Sequence, residues 1–191
     1  MLASGTATSG CSIEGAILHI LFVCTGNICR SPMAECIANQ IAAASNSTLN
    51  LRASSAGTRA AMGYPIHPEA AAVLKDLGFA SSGFVARQLT ARIVKDVDLV
   101  LTMTQAHRDV VLEQAPHLFR RTFTLPEAAR LIVEFEPERL NDLAALRSTV
   151  GAAAAEIPDP MGKSAEVFAE VGSRIAELIP PVLGLCRRHA G

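Results

Sequence analysis

At 191 residues and a formal net charge of −1, the chain has the length of one domain and no broad charged surface for a nucleic acid or a membrane. Half of the residues are hydrophobic and 18% are charged, which excludes disorder as the general state of the chain. The odd number of cysteines fits neither a disulfide scaffold nor a zinc site and favours a reducing, cytoplasmic location. These cysteines are Cys11, Cys24, Cys29, Cys36 and Cys186.

The first hydrophobic run predicts a buried strand over residues 16–24. This run is too short to span a bilayer, and residues 1–15 lack the basic region of a signal peptide. We therefore expect a flexible N-terminal extension, 1–15, followed by a single domain, 16–191. A helix from Ser31 to about Ser45, with a proline in its first turn, completes a strand–loop–helix unit.

Further strands alternate with helices along the chain, which predicts a parallel sheet covered by helices on both faces. We expect strands at residues 49–57, 96–104 and 120–125, and helices at residues 67–78 and 105–114. Two more helical stretches, Pro126–Phe135 and Pro137–Ala155, form a predicted helical insertion, 125–157. A last amphipathic helix is predicted over residues 165–188.

The loop CTGNICRS, which joins the first strand to the first helix, predicts an anion site. The first N–H groups of a helix have no partner within the helix, and the helix dipole favours negative charge there. Gly26 and Asn27 tolerate left-handed backbone, so successive N–H groups can turn toward one centre. Arg30 adds a two-pronged contact to two oxygens of the same anion. The site has the size of a phosphate group.

Cys24 is expected to lie at the bottom of this site. Cationic surroundings favour the thiolate, which is the nucleophilic form of a cysteine. Ser31, next to Arg30, can donate a hydrogen bond to that thiolate and stabilise it as a leaving group. A bare C-x5-R match is weak, but its place between a strand and a helix favours a catalytic cysteine over a buried structural thiol.

The string VCTGNICRSP, residues 23–32, resembles the signature of the low-molecular-weight protein tyrosine phosphatase family. The resemblance covers most of residues 17–188. It implies a single α/β domain, in which helices flank both faces of a four-stranded parallel sheet in a Rossmann-like arrangement. It also implies a two-step phosphomonoesterase that uses no metal or other cofactor. The strings SSAGT (54–58), HPEA (67–70), ARQLT (86–90), DLVLTMTQAH (98–107) and DP (159–160) follow in the family's order.

The same resemblance implies the roles of individual residues. Cys24 would attack phosphorus and form a phosphocysteine, while Arg30 and the loop amides hold the transferred group. Asp159 would be the general acid of the first step and the general base of the second. Ser55 would help to fix the unusual backbone of Asn27. The expected phosphate-binding residues are Thr25, Gly26, Asn27, Ile28, Cys29 and Ser31.

The sequence departs from the tyrosine-specific members of this family around the expected substrate. Such members usually carry tyrosines after the Asp-Pro and a bulky residue after SAGT, but here Met161, Ala61 and Met62 occupy those places. These side chains offer less stacking to an aromatic phosphoester. Tyr64 is expected to face solvent rather than to supply a replacement. Phe84 stands where many members have a histidine that braces the loop asparagine.

A protein tyrosine phosphatase is therefore the first interpretation, and a protein arginine phosphatase is the alternative. Related bacterial arginine phosphatases tend to have a threonine in place of Ile28, so Ile28 favours phosphotyrosine. They also tend to have glycine-rich sequence after the Asp-Pro, so the run MGKS, residues 161–164, favours phosphoarginine.

Two further functions remain open. Arsenate reductases share the cysteine loop, although Pro32 and the lack of a nearby set of redox cysteines are not typical of them. A non-catalytic phosphate-binding module would use the same loop, but the chain keeps Cys24, Arg30 and Asp159. The expected partner is a phosphorylated protein, with no nucleic acid and no membrane, and the sequence does not predict the oligomeric state.

The remaining cysteines and one histidine have structural alternatives. The resemblance implies a reversible disulfide between Cys29 and Cys24 that protects the nucleophile from over-oxidation, and a plain structural thiol is the other interpretation of Cys29. Cys36 and Cys186, on helical patterns, are expected to pack in the interior. His107 is expected to be structural rather than catalytic.

Overall fold

A parallel sheet lies at the centre of the molecule. The computed structural model describes residues 17–45, 50–81, 83–149 and 156–190. Its strands are β1 (Leu18–Cys24), β2 (Leu51–Gly57), β3 (Leu99–Thr102) and β4 (Thr122–Thr124). They pair in the order β2-β1-β3-β4, and every pair is parallel. The carboxyl ends of all four strands therefore meet at one edge, and the predicted four-stranded parallel sheet is confirmed.

Helices cover both faces of this sheet. They are α1 (Arg30–Ala44), α2 (Pro68–Asp76), α3 (Ala91–Val94), α4 (Gln105–Gln114), α5 (Leu125–Phe135), α6 (Asp142–Leu146) and α7 (Ala165–Ala190). Short 3-10 helices lie at Pro116–Arg121 and Arg147–Thr149. Among the helices of the described ranges, none is long and apolar enough to cross a membrane.

The hydrophobic residues of β1 divide between two cores. Ile20 and Phe22 belong to a large core that the sheet forms with α1, α2, α5 and α7. Leu21 and Val23 belong to a smaller core on the opposite face, with α3 and α4. All four side chains are fully buried, and each large aliphatic side chain that is fully buried stabilises the fold by about 1.5–3 kcal/mol. Burial on both faces explains why β1 reads as a continuous apolar run.

The predicted helix over Pro137–Ala155 is found, in its described part, only as the short helix α6 and the 3-10 helix that follows it. Helix α5 ends where Glu136 adopts a left-handed conformation, with φ of 46°. The chain then turns, and the Asp142 carboxylate accepts a hydrogen bond of 2.9 Å from the Arg139 N–H just before the short helix α6. Residues 150–155 lie outside the described residues, as does the predicted extension 1–15. That 125–157 is an insertion stays a prediction, although α5 itself packs in the large core.

Two short elements also differ from the sequence prediction. Arg120 and Arg121 belong to a 3-10 turn, so β4 is only three residues long. It ends at Thr124, which forms a capping box with Glu127 and starts α5 at once. Helix α3 was not predicted, because its four residues are too few to show a helical period.

Candidate active site

The site lies at the carboxyl edge of the sheet, in the loop of residues 24–31 between β1 and α1, hereafter the 24–31 loop. In the sheet order, β1 has β2 on one side and β3 on the other. Connections that leave a strand toward opposite sides open a crevice at its carboxyl end, where ligands of open α/β sheets bind. Helix α1 begins in this loop without a side-chain cap. Its first N–H groups are therefore available to a ligand.

Cys24 is the last residue of β1 and lies at the bottom of the loop, where it is only 2% exposed. Its Sγ lies 3.0 Å from the Oγ of Ser31. The same Oγ accepts a hydrogen bond of 2.9 Å from the side-chain amide of Asn27. Because the oxygen of Ser31 already accepts from Asn27, its own hydrogen is free to point at Cys24 Sγ. This is the arrangement that stabilises a thiolate.

Asn27 holds the strained corner of the loop. Its φ of 54° is left-handed, a conformation that costs a residue with a Cβ about 1–2 kcal/mol. Three hydrogen bonds offset this cost. The Nδ2 atom donates to Ser31 Oγ and, at 2.8 Å, to Ser55 Oγ. The Oδ1 atom accepts from the backbone N–H of Arg87 at 2.9 Å. The expected contact between Ser55 and Asn27 is thus present.

Two supporting residues were not singled out from the sequence, Glu35 and Arg87. Ser55 Oγ donates a hydrogen bond of 2.6 Å to the carboxylate of Glu35, and Arg87 Nε donates one of 2.7 Å to the carbonyl of Ser55. Burial raises the pKa of Glu35, while the hydrogen bond from Ser55 opposes that rise. Arg87 lies inside the string ARQLT that carried the resemblance, and Glu35 lies three residues after the string VCTGNICRSP. Phe84, in place of a bracing histidine, packs against the large core.

Arg30 and Asp159 meet across the site. Arg30 Nη2 lies 2.5 Å from Asp159 Oδ2, and Nη1 donates to the carbonyl of Ile157 at 3.1 Å. The side chain of Arg30 is 4% exposed and that of Asp159 is 47% exposed. Arg30 Nε is the one buried side-chain nitrogen or oxygen, among the residues described, that has no hydrogen-bond partner. A buried N–H without an acceptor is costly, and an oxygen of a bound anion would satisfy it.

Cys29 faces the loop that follows Asp159. Its Sγ–H donates to the Sδ of Met161 at 3.3 Å. Burial first, and then the nearby charges of Cys24 and Asp159, raise the pKa of Cys29 to about 12, although the charge of Arg30 opposes that rise. Cys24 and Cys29 are both free thiols, so the disulfide between them stays a prediction.

His107, in the first turn of α4, contacts the 24–31 loop through Thr25. Its Nε2 lies 2.8 Å from Thr25 Oγ1, and its Nδ1 lies 2.8 Å from Thr104 Oγ1. Burial lowers the pKa of His107 to about 4, and the charge of Arg30 lowers it as well. The ring is therefore neutral near pH 7, with one nitrogen donating and the other accepting. This position agrees with the structural role expected for His107.

A second loop, residues 57–67, runs along the 24–31 loop and is hydrogen-bonded to it. The N–H groups of Thr58, Arg59 and Ala61 donate to the carbonyls of residues 24, 25 and 26 at 2.9, 3.0 and 2.9 Å. The N–H of His67 donates to the carbonyl of Ile28 at 2.7 Å. The segment between Ala61 and His67 therefore borders the mouth of the site.

Four exposed apolar side chains belong to the loops around this mouth, and we call them the collar. Met62 and Tyr64 come from the second loop, and Tyr64 is 67% exposed, as expected. Val85 lies next to residue 86, whose N–H donates a hydrogen bond of 2.8 Å to the carbonyl of Tyr64. Met161 comes from the loop that carries Asp159. Exposed apolar groups at a concave polar site are typical of ligand binding.

The described residues thus place a cysteine thiol, a buried guanidinium and free helix N–H groups around one centre. This arrangement can bind a tetrahedral anion and attack it. No group of three or more His, Cys, Asp or Glu side chains suited to a metal ion occurs within the described ranges.

Comparisons with known proteins agree with this chemistry. The sequence profile of the family described as "Low molecular weight phosphotyrosine protein phosphatase" matches residues 19–184. The chain is 30% identical to a protein-arginine-phosphatase of Bacillus subtilis, over 85% of this chain and 92% of that protein. It is 32% identical to the low molecular weight protein-tyrosine-phosphatase Wzb of Escherichia coli, over 80% of this chain and 84% of that protein.

Solved structures show the same similarity. The low molecular weight protein tyrosine phosphatase of T. tengcongensis superposes with a TM-score of 0.70 at 32% identity, covering 87% of this chain and 98% of that one. A mutant of the arginine phosphatase YwlE with a phosphorylated active-site serine superposes with a TM-score of 0.70 at 28% identity, covering 87% of this chain and 94% of that one.

Proposed function

Because the chain belongs to the low molecular weight phosphotyrosine protein phosphatase family and is a cysteine-dependent phosphatase, we propose that it acts on phosphorylated proteins through Cys24, Arg30 and Asp159. One observation carries the assignment of these residues. Cys24 Sγ, hydrogen-bonded to Ser31 at 3.0 Å, shares the 24–31 loop with Arg30, a buried guanidinium that has an unpartnered N–H.

In the first step, the thiolate of Cys24 attacks phosphorus while the bond to the leaving oxygen breaks. Arg30 and the first N–H groups of α1 stabilise the charge on the transferred oxygens. The carboxyl group of Asp159 gives its proton to the leaving oxygen. The products are a phosphocysteine and the dephosphorylated side chain. The YwlE mutant with a phosphorylated active-site serine supports this covalent step.

In the second step, Asp159 takes a proton from a water molecule as that water attacks the phosphocysteine. The sulfur–phosphorus bond breaks, inorganic phosphate leaves, and the thiolate of Cys24 forms again. Ser31 stabilises that thiolate by the hydrogen bond at 3.0 Å. The remaining members of the 24–31 loop, residues 25–29, are proposed to enclose the phosphate group, with Ser55 supporting Asn27.

Phosphotyrosine is the proposed substrate, because the collar residues Met62, Val85 and Met161 are exposed apolar side chains on the loops beside the site and can contact a ring, although they stack on it less than aromatic side chains would. The similarity to Wzb, a tyrosine phosphatase, supports it. Phosphoarginine is the second candidate, since a protein-arginine-phosphatase is 30% identical to this chain. The four described cysteines are free thiols, which supports the proposed cytoplasmic location.

The substrate is tested by steady-state hydrolysis of a phosphotyrosine peptide and a phosphoarginine peptide of matched sequence, in chelator and reductant. A higher kcat/KM for phosphotyrosine is expected, and a higher value for phosphoarginine would exchange the two candidates. Binding of phosphate without hydrolysis of either peptide would contradict the assignment of Cys24, Arg30 and Asp159.

The nucleophile is tested by Cys24→Ser, with Cys36→Ser as the matched control. Cys36 lies half-buried on α1, where the loss of its thiol leaves the 24–31 loop intact. Cys24→Ser should abolish turnover with an unchanged melting temperature, and Cys36→Ser should keep it. A Cys24→Ser variant with more than a few per cent of the activity would contradict the assignment.

A further inference from the structure

The loop that carries Asp159 is fastened to the beginning of helix α4. The N–H of Ile157 donates to the carbonyl of Met103 at 3.0 Å. The carboxylate of Glu156 accepts a hydrogen bond of 2.7 Å from the backbone N–H of Gln105, the first residue of α4. Asp159 follows these two attachments directly in sequence, after a single proline that restricts the backbone between them.

The same turn of α4 also holds the 24–31 loop. His107 lies in the first turn of α4, and its ring bridges Thr104, the N-cap residue, and Thr25 with two contacts of 2.8 Å. Its lowered pKa of about 4, caused first by burial, keeps the ring neutral and the bridge uncharged near pH 7. Both loops that meet at the substrate are therefore attached to one rigid helical turn.

Glu156 is well suited to this attachment for a physical reason. The N–H of Gln105 is among the first of α4, so it has no acceptor within the helix, and the positive end of the helix dipole favours a carboxylate. Thr104 already caps the N–H of His107. Glu156 therefore adds a separate, charge-assisted contact at the end of the helix. Without that contact, the described hydrogen bonds between the acid loop and the rest of the chain are those of Ile157 with Met103 and Arg30, that of Asp159 with Arg30, and the weak contact of Met161 with the thiol of Cys29.

We propose that Glu156 is a positioning residue that acts through Asp159, by tying the acid loop to the N-terminus of α4. This inference rests on the proposed role of Asp159 as general acid. A misplaced acid slows proton transfer to the leaving group and leaves the attack by Cys24 intact. Loss of the contact should therefore matter most for substrates whose leaving oxygen needs a proton.

The experiment measures kcat/KM, which reports the first step only, for phenyl phosphate, which has a poor leaving group, and for nitrophenyl phosphate, which has a good one. It uses the full chain and the variants Glu156→Ala, Asp159→Ala and the double variant. Glu156→Ala should lower kcat/KM for phenyl phosphate about three- to tenfold, as expected for the loss of one exposed hydrogen bond, with a much smaller loss for nitrophenyl phosphate. In the Asp159→Ala background, Glu156→Ala should have no further effect.

Two controls separate positioning from stability. Glu156→Gln keeps an oxygen acceptor for Gln105 and should recover most of the rate. Glu113→Ala removes an exposed glutamate from the other end of the same helix and should leave both rates unchanged. The melting temperatures of all variants are compared, so that unfolding is not mistaken for loss of rate.

The outcomes distinguish the inference from the proposed function. Equal losses for both substrates, or a loss that persists in the Asp159→Ala background, would overturn the positioning role of Glu156. A leaving-group effect for Asp159→Ala without one for Glu156→Ala would overturn it alone. If Asp159→Ala itself shows no leaving-group effect, the general acid is misassigned and the inference fails with it.

Discussion

Replacing Gly57 by alanine should damage the active site from a position at the end of β2, outside the 24–31 loop. A Cβ at Gly57 would lie 2.5 Å from the carbonyl oxygen of Thr25 and 2.9 Å from Cβ of Ala60. Gly57 cannot move away, because its N–H donates to the carbonyl of Arg87 at 3.0 Å and its carbonyl accepts from Leu89 at 2.8 Å. The strain of Gly57→Ala must therefore displace the 24–31 loop.

The magnitude follows from the distances. An ordinary contact begins near 3.4 Å, so the oxygen of Thr25 must retreat by about 0.9 Å to reach the usual carbon contact range. Overpacking of this kind costs about 1–3 kcal/mol, a large fraction of the roughly 5–15 kcal/mol that stabilises a domain. A displacement near 1 Å in a catalytic loop lowers kcat/KM by about 100-fold.

The assay compares urea unfolding and kcat/KM of Gly57→Ala with those of Gly184→Ala. Gly184 lies within α7, and a Cβ there would meet only Arg188 Nη1, at 3.9 Å. Because alanine is the better helix former, Gly184→Ala should raise stability by up to about 1 kcal/mol without a change in rate. A Gly57→Ala variant with unchanged stability and unchanged kcat/KM would refute the argument from close approach.

Three further predictions concern the surroundings of the same loop. The pKa of His107 is lowered to about 4 from an ordinary value of 6.5, so the unfolded chain binds a proton at a higher pH than the folded chain. The free energy of unfolding should therefore fall as the pH decreases from 6.5 to about 4. In urea titrations His107→Gln should remove part of this pH dependence, and an unchanged dependence would contradict the prediction. Ser55→Ala removes the hydroxyl that links Asn27 to Glu35. Urea unfolding should show a free energy of unfolding lower by about 1–3 kcal/mol. A change below the error of the measurement would count against this hydrogen-bond network. Burial raises the pKa of Cys29 to about 12, so its thiol should react slowly at pH 7. In a Cys24→Ser variant, mass spectrometry should show slow labelling of Cys29 by iodoacetamide. Rapid labelling would contradict the burial argument.

The order of strands and helices was predictable because each long element carries its own hydrophobic period. The continuous run of β1 and the proline-started α1 are correct within two residues. The helix predicted from Pro137 is present only as α6, because alanine-rich composition favours a helix without saying where it begins or ends. In the structure, the left-handed conformation of Glu136 ends α5, and Arg147, the residue that ends α6, is held by contacts of its side chain. Arg147 donates to Glu127 and stacks on the ring of Phe123 at 4.1 Å, and both partners are distant in sequence.

The sequence by itself determined the chemistry at the carboxyl end of β1. Cys24, Asn27, Arg30 and Ser31 lie within eight residues, so one strand, one tight turn and one helix start suffice to place them around an anion. This is local geometry, fixed by backbone conformation and by the unpaired N–H groups of a helix. A short string can therefore specify the nucleophile and the anion site.

Only the tertiary structure decided what surrounds that loop. Asp159 reaches Arg30 at 2.5 Å across 129 positions of sequence, and Glu156 reaches α4 across 51. Glu35, on α1, joins the hydrogen-bond network around Cys24 through Ser55, which lies on β2. No periodicity records such pairs, because a contact between distant residues depends on how the sheet and its helices pack. The resemblance of the sequence named Asp159, but the residues that hold it beside Arg30 and α4 follow only from the fold.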